Sequence, residues 1–212
     1  MASPSDDRKS SILAAALRVI IDVGLTDMTI ALVAEQAGVS TALVHYHFSS
    51  KDDLILAAVL AASTVDKARQ QQVAAGRGTA TARLDELLCG SLPADDDDAD
   101  WLLWIEAWSE TRRDPDIRAV MVDLDEHELD MIAKLLSEGE AVGEFACPDP
   151  GEAAARLAAL RDGLAIRMTL FDVGGSPQPM LSALRASLRG NLALTEARYL
   201  ELVPDLAPIQ TA

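Results

Sequence analysis

The sequence predicts an all-α protein: about nine helices, with a three-helix helix-turn-helix head at the N-terminus and a larger helical domain behind it. Three observations predict it. Half of the 212 residues are apolar while only 4% are aromatic, a Leu- and Ala-rich balance that favours helix over sheet. Apolar residues recur with helical spacing between caps and stops, and no useful segment alternates with the period of a strand. Residues 29–53 read as two short helices pinned around Gly38, followed at once by the start of another. That is the shape whose second helix can enter the major groove of DNA.

The first helix is expected over about 7–23, with Ile12, Ala15, Val19, Ile20 and Val23 on one side and Gly24 as its stop. Thr29 can cap a second helix to Ala37, and Gly38 supplies the tight turn. Ser40 can cap a third through about His47. Ser50 opens a fourth to about Val73, with Asp52 and Asp53 where acid suits the helix dipole. After the glycine-containing break at 74–79 comes a fifth helix over 80–89, and then the acidic run 95–98, read as a solvated loop. A sixth over 99–112 carries Trp101, Trp104 and Trp108 on one face. Asp114-Pro115 opens the seventh, to about Ser137, with Gly139 and Gly143 ending it. Asp149-Pro150 opens the eighth, 151–173, closed by Gly174-Gly175. Ser176-Pro177 opens the last, to about Leu202.

Composition excludes several classes. No apolar run approaches the roughly 20 residues of a membrane span, and the N-terminus lacks the pattern of a signal peptide. Cys89 and Cys147 lie far apart, as reduced structural thiols of a cytoplasmic protein do. The net charge of −16 is concentrated outside the head: residues 1–55 carry four bases and seven acids. A non-specific electrostatic grip on DNA is then weak, and specific contacts and helix N-termini carry more of the binding.

Within the head, Ile30, Val33, Ala34, Ala37, Val39 and Val44 have the spacing that locks two helices at a fixed angle, leaving Thr41, Ala42, His45 and Tyr46 outward. Thr41 can bond a base edge or phosphate, and Ala42 can touch a thymine methyl. The Thr29 hydroxyl and the amides at the start of that helix point toward a phosphate, and Lys51 can pair with another. With Gly24, Thr29, Ala34, the run Ala37-Gly38-Val39-Ser40 and the tail His47-Phe48, Lys51, Leu54, residues 8–58 resemble the tetracycline-repressor (TetR) family. The resemblance implies DNA contacts from Thr29, Ser40, Thr41, Ala42, His45, Tyr46, His47 and Lys51. Position 45 is commonly tyrosine in that family; histidine here removes or replaces a ring-hydroxyl contact, and Tyr46 can compensate.

Farther on, Trp104-Ile-Glu-Ala-Trp108, Arg113-Asp-Pro115, Glu138-Gly139, Gly143-Glu-Phe145 and Asp162-Gly-Leu164 resemble the family's betaine-regulator-like subgroup. The resemblance implies a C-terminal ligand-binding and dimerisation domain. The helices near 151–173 and 177–202 are apolar around much of their circumference, so they need burial on more than one side. Pairing with the same helices of a second copy provides it, and Gly163 permits close approach. Candidate effector residues are Trp104, Trp108, Met121, His127, Met131, Asp162 and Phe171; aromatic rings with carboxylates favour a cationic or a neutral apolar effector.

The reading is therefore a non-enzymatic, cytoplasmic regulator, divided at about residue 55, without cofactor or metal. It is a homodimeric repressor of double-stranded operator DNA, nucleoid-associated when bound, and relieved by a small molecule. The head is expected to be removable, leaving a folded dimer. One alternative is a dimeric ligand-binding protein with an impaired DNA head. Another, a helical metalloenzyme, lacks support: no histidine has the Glu-x-x-His spacing, and no HExxH, Gly-x-Ser-x-Gly or phosphate loop occurs.

Overall fold

A computed structural model describes residues 4–95, 98–171 and 176–204, the first three by backbone alone. Among these residues there are ten α-helices and no strand: α1 (Pro4–Asp27), α2 (Ile30–Ala37), α3 (Thr41–His47), α4 (Lys51–Ala74), α5 (Ala80–Cys89), α6 (Ala99–Glu110), α7 (Pro115–Ala141), α8 (Pro150–Leu170), α9 (Gln178–Asn191) and α10 (Glu196–Leu202). No described helix is long and apolar enough to cross a membrane. Asp96, Asp97, Val173, Gly174 and Gly175, which figured in the expected acidic loop and helix stop, lie outside the described residues.

Packing divides the chain into two compact units, Met1–Asp66 with Ala99–Leu124, and Lys67–Asp98 with Asp125–Ala212. The break by packing, at 66/67, lies eleven residues beyond the expected one near residue 55, both inside α4, and residues 99–124 join the N-terminal unit. In the first unit Ile12, Ile20, Met28, Val44, Phe48 and Leu54 are buried in one core with Leu103 and Ala107 of α6 and Ile117 and Met121 of α7. A chain lacking residues 1–55 would uncover those α6 and α7 side chains, so the packing argues against a head that can be cut away cleanly.

The second unit buries Leu84, Leu87 and Leu88 of α5 with Ile132 and Leu136 of α7, Leu157 of α8 and Leu184 and Leu188 of α9. Two expectations change here. Gly139 does not end a helix. It is a buried residue inside α7, where an added Cβ would strike the Phe145 ring. The stop is Gly143 at φ +75; the Gly143 and Glu144 amides turn back to the carbonyls of Glu140 and Gly139, at 3.0 and 2.9 Å. The last expected helix is also two helices. Ala193, at φ +50, takes the left-handed position usually held by glycine. The amides of Ala193 and Leu194 close α9 on Gly190 and Arg189, and Thr195 caps α10 by accepting from the Arg198 amide at 3.2 Å.

Asp85, buried on α5, ties the two pieces together. It accepts from Arg185 of α9 at 2.9 and 3.1 Å and from the Tyr199 hydroxyl of α10 at 2.5 Å. Burial pushes the Cys89 thiol and the Tyr199 hydroxyl far above their usual ranges; the Asp85 charge adds to the shift and Arg185 opposes it. Burial raises Cys147 too. The unfolded chain loses these protons from about pH 8.5 for thiols and about 10 for tyrosine, while the fold keeps them. Stability is therefore full below those values and falls as pH rises through them. Thermal melts should hold to about pH 8 and decline between 9 and 11, Cys89 and Tyr199 each costing about 1.4 kcal/mol per pH unit above its unfolded pKa. Cys89→Ala should flatten the onset; melts indifferent to alkali would refute the assignment.

Candidate nucleic-acid interface and effector residues

The head is built by local capping. Thr29 has extended backbone, and its hydroxyl oxygen accepts from the Leu32 amide at 3.2 Å, starting α2. α2 buries Val33 and Ala34. Gly38 then turns left-handed at φ +66, and its own amide and that of Val39 return to Glu35 and Ala34, at 3.0 and 2.9 Å. An added Cβ would meet nothing within 4 Å there, so this glycine serves backbone conformation and not space. Ser40 accepts from the Leu43 amide at 3.2 Å and starts α3. As a hydroxyl it keeps a proton to donate outward, as does Thr29.

α3 is anchored by Val44 and, just past its end, by Phe48, both buried. Thr41, Ala42, His45 and Tyr46 are exposed, and Tyr46 is 79% accessible. His47 is half-buried, with the Tyr46 ring edge-on at 5.1 Å and the Phe48 ring at 6.3 Å. The predicted contact residues of α3 thus share one surface, with His47 at its inner margin. Two of the four bases in residues 1–55 are tied into the head. Lys51, at the start of α4, donates to the Thr26 carbonyl at 2.7 Å, which leaves two of its three protons for another acceptor. Lys9 of α1, which no local signal in the sequence singled out, sits with its ammonium 5.7 Å from the centre of the Phe48 ring. The Asp53 carboxylate is engaged at the start of α4, accepting from the Ser49 amide at 2.7 Å and the Ser49 hydroxyl at 3.0 Å.

The seven candidate effector residues divide between the two units. Trp104, Trp108 and Met121 belong to the first. Both tryptophans are half-buried at the edge of its core, and Trp108 meets Trp101 edge-to-face at 5.9 Å. His127, Met131, Asp162 and Phe171 belong to the second. Phe171 ends α8 64% exposed. His127 is half-buried, and its Nε2 is buried without a hydrogen-bond partner among the described residues. Beside it in sequence, the buried Glu128 forms a double ion pair with Arg161, whose Nη2 lies 2.8 Å from Oε2. Arg161 Nε also donates to Asp162 at 3.0 Å. Burial, then the Asp162 charge, raises the Asp125 carboxyl; Arg161 opposes the shift. Asp125, Glu128 and Arg161 were not singled out in the sequence, because pairs 33 residues apart leave no local signal.

Comparison with known proteins matches both halves of this arrangement. Residues 12–58 fit the profile of bacterial regulatory proteins of the tetR family, and residues 80–193 fit that of the BetI-type transcriptional repressor C-terminal domain. The HTH-type transcriptional regulator BetI of Rhizobium meliloti is 35% identical over 169 residues, covering 77% of this chain and 78% of that protein. BetI of Escherichia coli is 28% identical over 170 residues, covering 77% and 83%. A putative transcriptional regulator from Saccharomonospora viridis, solved in complex with choline, superposes with a TM-score of 0.78 at 30% identity, covering 88% of this chain and 97% of that one. With a capped helix-turn-helix at one end and a BetI-type helical domain behind it, the chain belongs to the TetR family of transcriptional regulators.

Proposed function

We propose that the chain is a homodimeric repressor, acting on operator DNA in the cytoplasm, whose binding is relieved by a small organic cation in the C-terminal domain. The observation that carries the DNA half is the exposed face of α3, where Thr41, Ala42, His45 and Tyr46 stand clear of a helix locked by Val44 and Phe48. Thr29, Ser40, His47 and Lys51 flank that face and supply phosphate contacts. The dimer reading rests on α8 and α9. Ala155, Ala159 and Gly163 lie exposed one and two turns apart on α8, as do Ala183, Ala186 and Gly190 on α9. Both glycines face open space. These small residues, bordered on α8 by the exposed Glu152–Arg156 ion pair, suit close packing against a second copy, and a two-fold pair of heads matches two half-sites one turn apart.

The cation half is supported by the carboxylates Asp125, Glu128 and Asp162 gathered around a single guanidinium, by the unpartnered His127 Nε2, and by the choline held by the Saccharomonospora viridis relative. Met131 on α7 and the exposed Phe171 are further candidates in the same unit, while Trp104, Trp108 and Met121 belong to the other unit and are proposed as effector residues on their own account. The ligand acts only through its different affinity for the DNA-binding and non-binding states.

The deciding measurement is binding to duplexes enriched by the protein from a randomised pool, with and without choline, across a salt series. Specific binding that weakens on adding choline is expected. Lys51→Ala should weaken all duplexes about equally and lower the salt slope by about one per head, two per dimer. No enriched duplex would refute the DNA assignment, and binding indifferent to choline and other alkylammonium ions the effector class.

A further inference from the structure

We infer that Glu106 of α6 is a positioning residue for the DNA-reading head, holding the turn from which α2 starts; the inference rests on the DNA-binding reading above. Gly24 breaks α1 with φ +80 and ψ 163. That break turns the Leu25 amide away from the helical ladder, and Leu25 is buried. A buried amide needs a partner. Glu106 provides it from 81 residues away, with Oε2 3.1 Å from the Leu25 nitrogen. The fit is close: a Cβ added at Gly24 would lie 3.3 Å from the same oxygen. The next residue is held from α4, where the Thr26 carbonyl accepts from Lys51 at 2.7 Å.

The turn thus has one anchor in α6 and one in α4, and it leads directly into Thr29 and α2. Rigid-body placement of α2 sets where the Thr29 hydroxyl and, through Gly38, the α3 face are presented. Glu106 lies within the region matched by the BetI-type C-terminal profile, residues 80–193, yet packs in the unit that contains the head. It lies on α6, away in sequence from the contact residues of α2 and α3, and its hydrogen bond goes to Leu25, so it acts through the turn.

The test compares Glu106→Ala, which removes the acceptor, with Glu106→Gln, which keeps an acceptor oxygen without charge. Binding is measured to the duplex that wild-type protein enriches from a random pool, and amide exchange is followed in the segment covering residues 21–28. Glu106→Ala should bind roughly tenfold more weakly, about one lost contact's worth of free energy, with faster exchange of that segment. Glu106→Gln should restore both to within about twofold of wild type. A stability loss alone, with affinity of the folded protein and exchange at 21–28 unchanged in Glu106→Ala, overturns the inference. So does an equal loss in both variants. If Glu106→Ala does not fold, Glu106→Asp, which retracts the carboxylate by one methylene, takes its place with the same criteria. Absence of any DNA binding by wild type would strike the functional reading instead, while the exchange comparison would still decide the anchor.

Discussion

Replacing Arg161 by alanine is expected to cost about 3–5 kcal/mol of stability, the loss found when one member of a buried ion pair is removed. Both side chains of the Arg161–Glu128 pair are only 9% exposed. The guanidinium also serves Asp162 and holds down the Asp125 carboxyl. Without it the neighbouring Asp125 and Asp162 carboxylates are no longer balanced by a cation, and the desolvation cost of the buried Glu128 is no longer offset. Urea unfolding would show the drop. Substituting methionine at both 161 and 128 should recover most of it, because it removes the stranded charge together with its partner. A loss below about 1 kcal/mol in Arg161→Ala would mean the pair is effectively solvated.

The largest functional effect is expected from Tyr46→Ala. The ring is 79% exposed and packs only edge-on to His47, so thermal stability should be nearly unchanged. DNA affinity should fall about 30- to 150-fold, one contact of about 1–1.5 kcal/mol lost in each of two heads. Tyr46→Phe separates the hydroxyl from the ring. If the hydroxyl replaces the one absent at position 45, phenylalanine should lose most of what alanine loses. Unchanged affinity in Tyr46→Ala would remove this residue from the reading face.

The head was legible in the sequence because its signals are local. Thr29, Gly38 and Ser40 announce helix ends within three residues of where they act, and Val33, Ala34 and Val44 follow from helical spacing; all take the places expected of them. The second unit was legible in outline only. Its subgroup motifs have structural work that no spacing reveals: Gly139 makes room for Phe145, Glu138 pairs with Arg83, and Glu144 accepts from the amides of Ala80 and Thr81. The break between α9 and α10 was hidden because alanine, not glycine, takes the left-handed position at 193. The partition of the chain was hidden for a related reason. Whether α6 packs with the head or with α5 depends on contacts some 80 residues apart, such as Glu106 with Leu25. Helical periodicity says that a face must be covered, never by what.

The environment of Cys89 also bears on what kinds of signal this regulator can register. The thiolate is the form that attacks disulfides and reacts with oxidants. Cys89 is buried beside Asp85 and kept protonated, and Cys147 is equally enclosed and shifted the same way. Neither sulfur offers an electrophile an accessible anion. Neither thiol is set up as a thiolate sensor, so a signal of reversible occupancy, readable by concentration and erased by dilution, suits this fold better than covalent chemistry at cysteine.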